Sequence, residues 1–229
     1  MTDDIYRRLQ QRLDLFSMGF PATESGVELD ILRRLFTPED AGLFLALSHQ
    51  LEAPEAVAAR LGAPAEAVAP RLDDMAERGL LFRLKKDGGA RYAAIPFVHG
   101  VFEFQLPTLD RELSALMERY FEEGFNRAMQ QGADYFLRPI PVNRSIDARH
   151  PVAAYDDALA ILKAKPRIVV AECICRKRTE ILGASCGKPL EACFMFGSMG
   201  QYYLDRGMGR EVGFEEAAAI LERCREAGL

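Results

Sequence analysis

Long apolar runs are missing from this sequence. Stretches such as Ile168-Val169-Val170-Ala171 fall far short of the ~20 residues that cross a bilayer, so no membrane span is expected. The start, Met1-Thr2-Asp3-Asp4-Ile5-Tyr6-Arg7-Arg8, has neither the basic opening nor the apolar core of a secretion signal, and a cytoplasmic location is expected. Positive charge is not in excess either: 29 Lys and Arg against 34 Asp and Glu give a net −5. No overall basic field draws nucleic acid or an anionic membrane. Cysteine is absent before residue 173 and occurs five times, too few for a disulfide scaffold, and an odd number suits a secreted protein poorly. No Gly-x-Ser-x-Gly, phosphate loop or dinucleotide fingerprint is present. His49, His99 and His150 are scattered and form no ligand pair by spacing; His150, before Pro151, is the one to watch.

What is there suits an ordinary globular chain. The 229 residues, 49% hydrophobic and 28% charged, can bury one large core or two small ones. Ile5, Leu9, Leu13 and Phe16 share a helical stripe over Asp4 to Phe16, which Gly19 and Pro21 stop, and Glu28 to Phe36 resumes the pattern. Thr37-Pro38-Glu39-Asp40 supplies an N-cap hydroxyl, a first-turn proline and acidic residues ahead of a helix over Ala41 to Leu47. A second helix is predicted from Pro54 to Leu61 and a third from Pro64 to Gly79, in which Pro70 should bend or shorten the element. A hairpin follows, with Leu80 to Leu84 and Arg91 to Ile95 as its arms. Three helices and a hairpin form the order of a winged helix. Beyond it the pattern predicts a helix from Asp110 to Met129, a Pro-rich passage at 138–142 and a helix from Tyr155 to Lys163. A buried strand from Arg167 to Ala171 comes next, then helices over Pro189 to Arg206 and Phe214 to Ala227. The expected fold class is α+β, mostly helical: a winged-helix-like domain over 1–106 and a helical, cysteine-bearing domain over 107–229.

A winged helix reads DNA with its third helix, through basic and amide side chains. Here that helix carries Glu66, Asp73, Asp74 and Glu77 against Arg71 and Arg78, a net −2, whereas phosphate contacts need the reverse. The hairpin offers Arg83, Lys85, Lys86 and Arg91 against Asp87. Sequence-specific DNA binding is therefore not expected, and packing or partner docking is.

Four of the five cysteines, Cys173, Cys175, Cys186 and Cys193, fall within 21 residues. At i and i+2 of an extended chain Cys173 and Cys175 project the same way. Gly187 lets the backbone turn tightly behind Cys186, and Cys193 is expected near the start of a helix opened by Pro189, whose positive end favours a thiolate. On that helix Phe196, Gly197 and Gly200 fall at i+3, i+4 and i+7. The two glycines there either leave room for a bulky group or permit a close helix contact. Four soft ligands suit zinc or iron–sulfur chemistry, and the spacing leaves the metal open, with a redox-active or buried thiol set as the other reading. Arg176-Lys177-Arg178 could offset the negative charge of a thiolate-held cluster. Cys224 follows Ala217, Ile220 and Leu221 on an apolar stripe and is expected to be a buried, inert thiol.

Phe20-Pro21-Ala22-Thr23-Glu24-Ser25-Gly26-Val27-Glu28-Leu29, Leu35-Phe36-Thr37-Pro38-Glu39-Asp40-Ala41, Cys173-Ile174-Cys175-Arg176, Cys186-Gly187-Lys188-Pro189-Leu190-Glu191-Ala192-Cys193 and Gly207-Met208-Gly209-Arg210-Glu211, taken together, resemble a family of 4Fe-4S-binding, ferredoxin-annotated bacterial proteins. The resemblance covers nearly the whole chain. Members often continue, past the stretch matching Ala227-Gly228-Leu229, into a Cys-rich ferredoxin-like module that this sequence does not include. It implies a 4Fe-4S cluster on Cys173, Cys175, Cys186 and Cys193, an electron-transfer role with a redox partner protein, and no catalytic residue that can be named. A redox-responsive winged-helix regulator and a structural zinc protein are the alternatives, and homo-oligomerisation is left open.

Overall fold

The computed structural model describes residues 2–86, 88–126 and 158–229. The fold is α+β, mostly helical, with two small antiparallel sheets. It divides into two compact units, Met1–Ala133 and Asp134–Leu229. The expected boundary after residue 106 thus falls later.

The first unit opens with α1 (Thr2–Asp14), α2 (Val27–Leu35), α3 (Pro38–Ala46), α4 (Pro54–Leu61) and α5 (Ala65–Glu77). Local chemistry explains the ends. Thr37 Oγ1 accepts from the Asp40 amide and the Asp40 carboxylate accepts from the Thr37 amide, a reciprocal cap that starts α3 at Pro38. Gly62, at φ +65, ends α4 in the left-handed conformation that glycine adopts without Cβ strain. Pro70 does not shorten α5, which runs through it. Pro70 is exposed, so the backbone carbonyl it leaves without a donor can turn to water. The hairpin pairs β1 (Phe82–Lys86) with β2 (Gly89–Ala93), Phe82 opposite Ala93, so each arm is offset from the expected one.

A 3₁₀ turn over Glu103–Thr108 and α6 (Arg111–Tyr120), capped by Asp110 through the Leu113 amide, lead back into the same core. Phe20 stands at the centre of that core, fully buried, its ring 4.1 Å from Phe97 and 4.7 Å from Tyr120. This packing is why residues beyond 106 belong to the first unit. Gln105, also buried, donates to the carbonyls of Arg78, Gly79 and Val101 and so ties the end of α5 to the turn. The expected helix to Met129, the Pro-rich passage, the start of the Tyr155 helix and His150 lie wholly or partly outside the described residues.

The second unit contains α7 (Ala158–Lys163), β3 (Ile168–Glu172), α8 (Ile174–Ile181), β4 (Glu191–Met195), α9 (Gly197–Asp205), β5 (Gly209–Val212) and α10 (Phe214–Glu226). β3 is central, antiparallel to β4 and to β5. Its unbroken apolar run follows from burial on both faces. Ile168 and Val170 join Leu162 of α7 and Ala217, Ile220 and Cys224 of α10 in one core. Val169, on the opposite face, meets α9, where a Cβ on Gly200 would stand 3.2 Å from Val169 Cγ2 and 3.1 Å from the Met195 carbonyl. Gly200 therefore permits a close contact between helix and sheet, the second of its two expected uses. The single helix expected over Pro189 to Arg206 is instead β4 followed by α9, and β5 was not anticipated. Ala192, Cys193 and Phe194 lie in β4 because β3 supplies the hydrogen-bonding partner, a long-range pairing that overrides local pattern.

Candidate metal centre

β3 ends at a register shift between Ala171 and Glu172. Such an irregularity turns the chain out of the sheet, and Cys173 becomes the N-cap of α8 with Cys175 in its first turn. The expected extended Cys-x-Cys is thus corrected. The two thiols still gather, because an N-cap side chain leans over the first helical residues. Cys193 reaches the same place from β4, where it pairs with Ala171. It does not stand near a helix start, so the expected i+3, i+4 and i+7 face with Phe196, Gly197 and Gly200 does not form. The Cys173 amide donates to the Leu190 carbonyl at 2.7 Å and binds the two cysteine segments together.

The three sulfurs interact. Hydrogen bonding from Cys175, then from Cys193, holds the Cys173 thiol far below the ordinary cysteine value; burial opposes this, and the Arg176 amide and charge assist. Cys193 moves the other way, because its proton is engaged by Cys173, because it is buried, and because negative charge on its neighbours resists a second thiolate. The trio therefore ionises first at Cys173, and α8 contributes its positive end to that thiolate. Arg176 also donates to the Pro189 carbonyl at 2.8 Å, which fixes its guanidinium near the sulfurs. Lys177 faces away, toward Glu172 at 3.4 Å and Glu180 at 3.8 Å. Arg176 and Lys177 thus part, one toward the thiols and the other toward a solvated face.

Cys186 is exposed on the loop between α8 and β4. Among the described residues no interaction joins it to the other three. Cys224 is buried in α10 among apolar side chains, and burial raises its thiol. All five cysteines are free of disulfides. Among the described residues no group of three or more His, Cys, Asp or Glu side chains is placed to hold a metal ion. Three converging soft donors, one already favouring the thiolate, are nonetheless chemically suited to a soft metal or a thiolate-held cluster. Sequence reasoning did not find Arg176 as the cation aimed at the thiols, since the run itself does not say which side chain turns inward. Nor did it find Lys188, whose ammonium donates to the carbonyls of Ala227 and Gly228.

Concavities among the described residues of the first unit are already filled with paired charge. One, of about 300 Å³, is lined by Arg34, Arg78, Gln105 and Thr108 among others. Its guanidiniums are engaged by Asp110 and Glu112 and by Asp40 and Asp74. The other, of about 570 Å³, lies between α5 and the hairpin and includes Asp73, Glu77 and Arg83. Arg83 is 3% exposed and donates to Asp73 at 3.0 Å and Glu77 at 2.6 Å, so this residue, expected to be placed for phosphate contact, is buried. His99 lies at the surface, and the partial desolvation of its ring holds the imidazole below the ordinary value. Comparison with protein-family models, with curated proteins and with solved structures finds no match for this chain.

Proposed function

We propose that this chain is an iron–sulfur protein that holds a 4Fe-4S cluster on Cys173, Cys175, Cys186 and Cys193 and serves as an electron-transfer or redox component. The observation that carries the reading is the convergence of three thiols from two separate elements at the positive end of α8, with Arg176 beside them. A bound cluster would supply one-electron redox chemistry. The chain's own residues supply the rest: the α8 amides and Arg176 lower the cost of negative charge on sulfur, and the β3–β4 pairing sets Cys193 against Cys173. Cys224 stays outside the set because it is packed in the core of α10.

The first unit is read as a winged-helix-like module for packing or partner docking. Burial of Arg83 leaves the hairpin one cation fewer for a phosphate backbone, and α5 is acidic. Duplex-binding assays at low and physiological salt test this; a sequence-specific footprint at about 0.15 M salt would favour the redox-responsive regulator. The metal assignment is tested by anaerobic purification followed by iron, acid-labile sulfide and zinc analysis. The expected result is a brown protein containing iron and sulfide. A colourless protein with stoichiometric zinc and no iron would replace the cluster by a structural zinc site.

A further inference from the structure

Cys186 is the expected ligand that the fold leaves outside the thiol trio, and its surroundings show how it is held. Residues 183–187 are exposed at every position. Gly183 and Gly187 take left-handed backbone, φ +83 and +68, and a Cβ on either would meet nothing within 4 Å. The loop's hydrogen bonds are local, from the Ala184 amide to the Thr179 carbonyl at 2.8 Å and from the Gly187 amide to Ser185 Oγ at 3.2 Å. Cys186 makes none.

The segment after the loop is pinned. Lys188 binds the carbonyls at the end of α10, groups that a helix leaves without internal partners. Arg176 holds the Pro189 carbonyl and the Cys173 amide holds that of Leu190. On the other side, α8 closes on the Gly183 amide bonded to the Glu180 carbonyl at 2.9 Å. Cys186 is thus carried on a short exposed arm between two fixed points, while Cys173, Cys175 and Cys193 are assembled by secondary structure.

We propose that Cys186 is the exchangeable ligand of the centre: three thiolates hold a soft metal without it, and the position it fills can be given to an external thiolate-type ligand. The inference rests on the soft-metal reading above and assigns that site a second property, a coordination position open to exchange. Three protein ligands with a fourth position free is the arrangement in which a protein-bound metal meets an outside ligand. The exchange is balanced without redox: the metal–sulfur bond to Cys186 breaks, the incoming thiolate donates an electron pair to the same metal, and the released Cys186 thiolate takes a proton from water.

The test uses the full chain, reduced and metal-free under argon, with zinc(II) as the probe. Iodoacetamide alkylation is followed cysteine by cysteine through peptide masses. Zinc is expected to slow alkylation of Cys173, Cys175 and Cys193 by about tenfold or more, to change that of Cys186 far less, and to bind the Cys186→Ser variant nearly as well as the parent chain. With cobalt(II) in place of zinc, adding 2-mercaptoethanol should shift the visible spectrum. Equal protection of all four cysteines, zinc loss from Cys186→Ser as complete as from Cys193→Ser, or a cobalt spectrum indifferent to added thiol would each overturn the proposal. If zinc protects no cysteine at all, the soft-metal reading itself fails and this inference falls with it.

Discussion

Arg83 in the first unit and Cys173 in the second are both polar groups drawn partly out of water, and the company each keeps differs in kind. Arg83 has two carboxylates within 3.0 Å, and Tyr92 donates to one of them, Asp73, at 2.8 Å. Charge is matched and the donors are used, so the group has little left to offer a ligand. Cys173 has other thiols as partners, groups that can lose protons and bind the same ion. A closed charge pair organises the core around it, whereas a set of soft donors that only share protons keeps the capacity to bind something else.

The largest effect that would break this contrast concerns metal. Cys193→Ser is expected to remove nearly all bound metal from anaerobically prepared protein, and Cys224→Ser to remove none, because Cys224 is embedded in the α10 core. Equal loss by metal analysis would erase the distinction between the two thiol environments. Next comes the first unit's aromatic core, where Phe20→Ala should cost about 3–5 kcal/mol by denaturant unfolding. Because Phe20 belongs to the first unit and the cysteines to the second, metal content is expected to be unchanged, and a variant that loses stability and metal together would break the contrast.

Arg83→Ala should cost about 2 kcal/mol, below the full penalty for breaking a buried pair because its carboxylates are half-exposed and can rehydrate. Arg83→Met, which keeps the buried stem, should recover part of this. If neither substitution changes the unfolding midpoint, the pair is not structural. The smallest effect is at Glu52, held below its ordinary value of 4.5 chiefly by the hydrogen bond from Arg60, with burial opposing and the Ser48 amide assisting. A depressed carboxyl contributes stability that is present above pH 4.5 and is lost as pH falls through the lower folded value. Arg60 is exposed enough for solvent to screen the pair, so Glu52→Gln should cost less than about 1 kcal/mol at neutral pH and flatten the acid limb of the stability curve. An unchanged limb would assign the acid response elsewhere.

Much of the first unit was legible in order. Thr37 with Asp40 and Pro54 with Gly62 announced helix ends through interactions local to each helix, and the structure keeps those boundaries closely. Arg167 to Ala171 read as a buried strand, and the structure forms it one residue later over Ile168–Glu172, since burial on both faces shows as an unbroken apolar run. The residues around Cys193 were misread, because Glu191 to Met195 carries no local mark of a strand strong enough to exclude a helix.

The sequence by itself determined that the chain has capped helices, one strand buried on both faces, and four cysteines gathered within 21 residues while a fifth belongs to an apolar stripe. Those are short-range facts, set by spacing, hydrogen-bonding side chains and backbone freedom. Only the tertiary structure decided that Cys173 stands at the N-cap position of a helix, that Cys193 meets it from a neighbouring strand, that Cys186 stands apart on an exposed loop and that Arg83 is buried. Each of these depends on which distant segment supplies the partner: the register of β4 on β3, and the carboxylates of α5 facing the hairpin. The free energy of such pairings is gained only when the chain closes on itself, so it leaves no mark within any single stretch of residues.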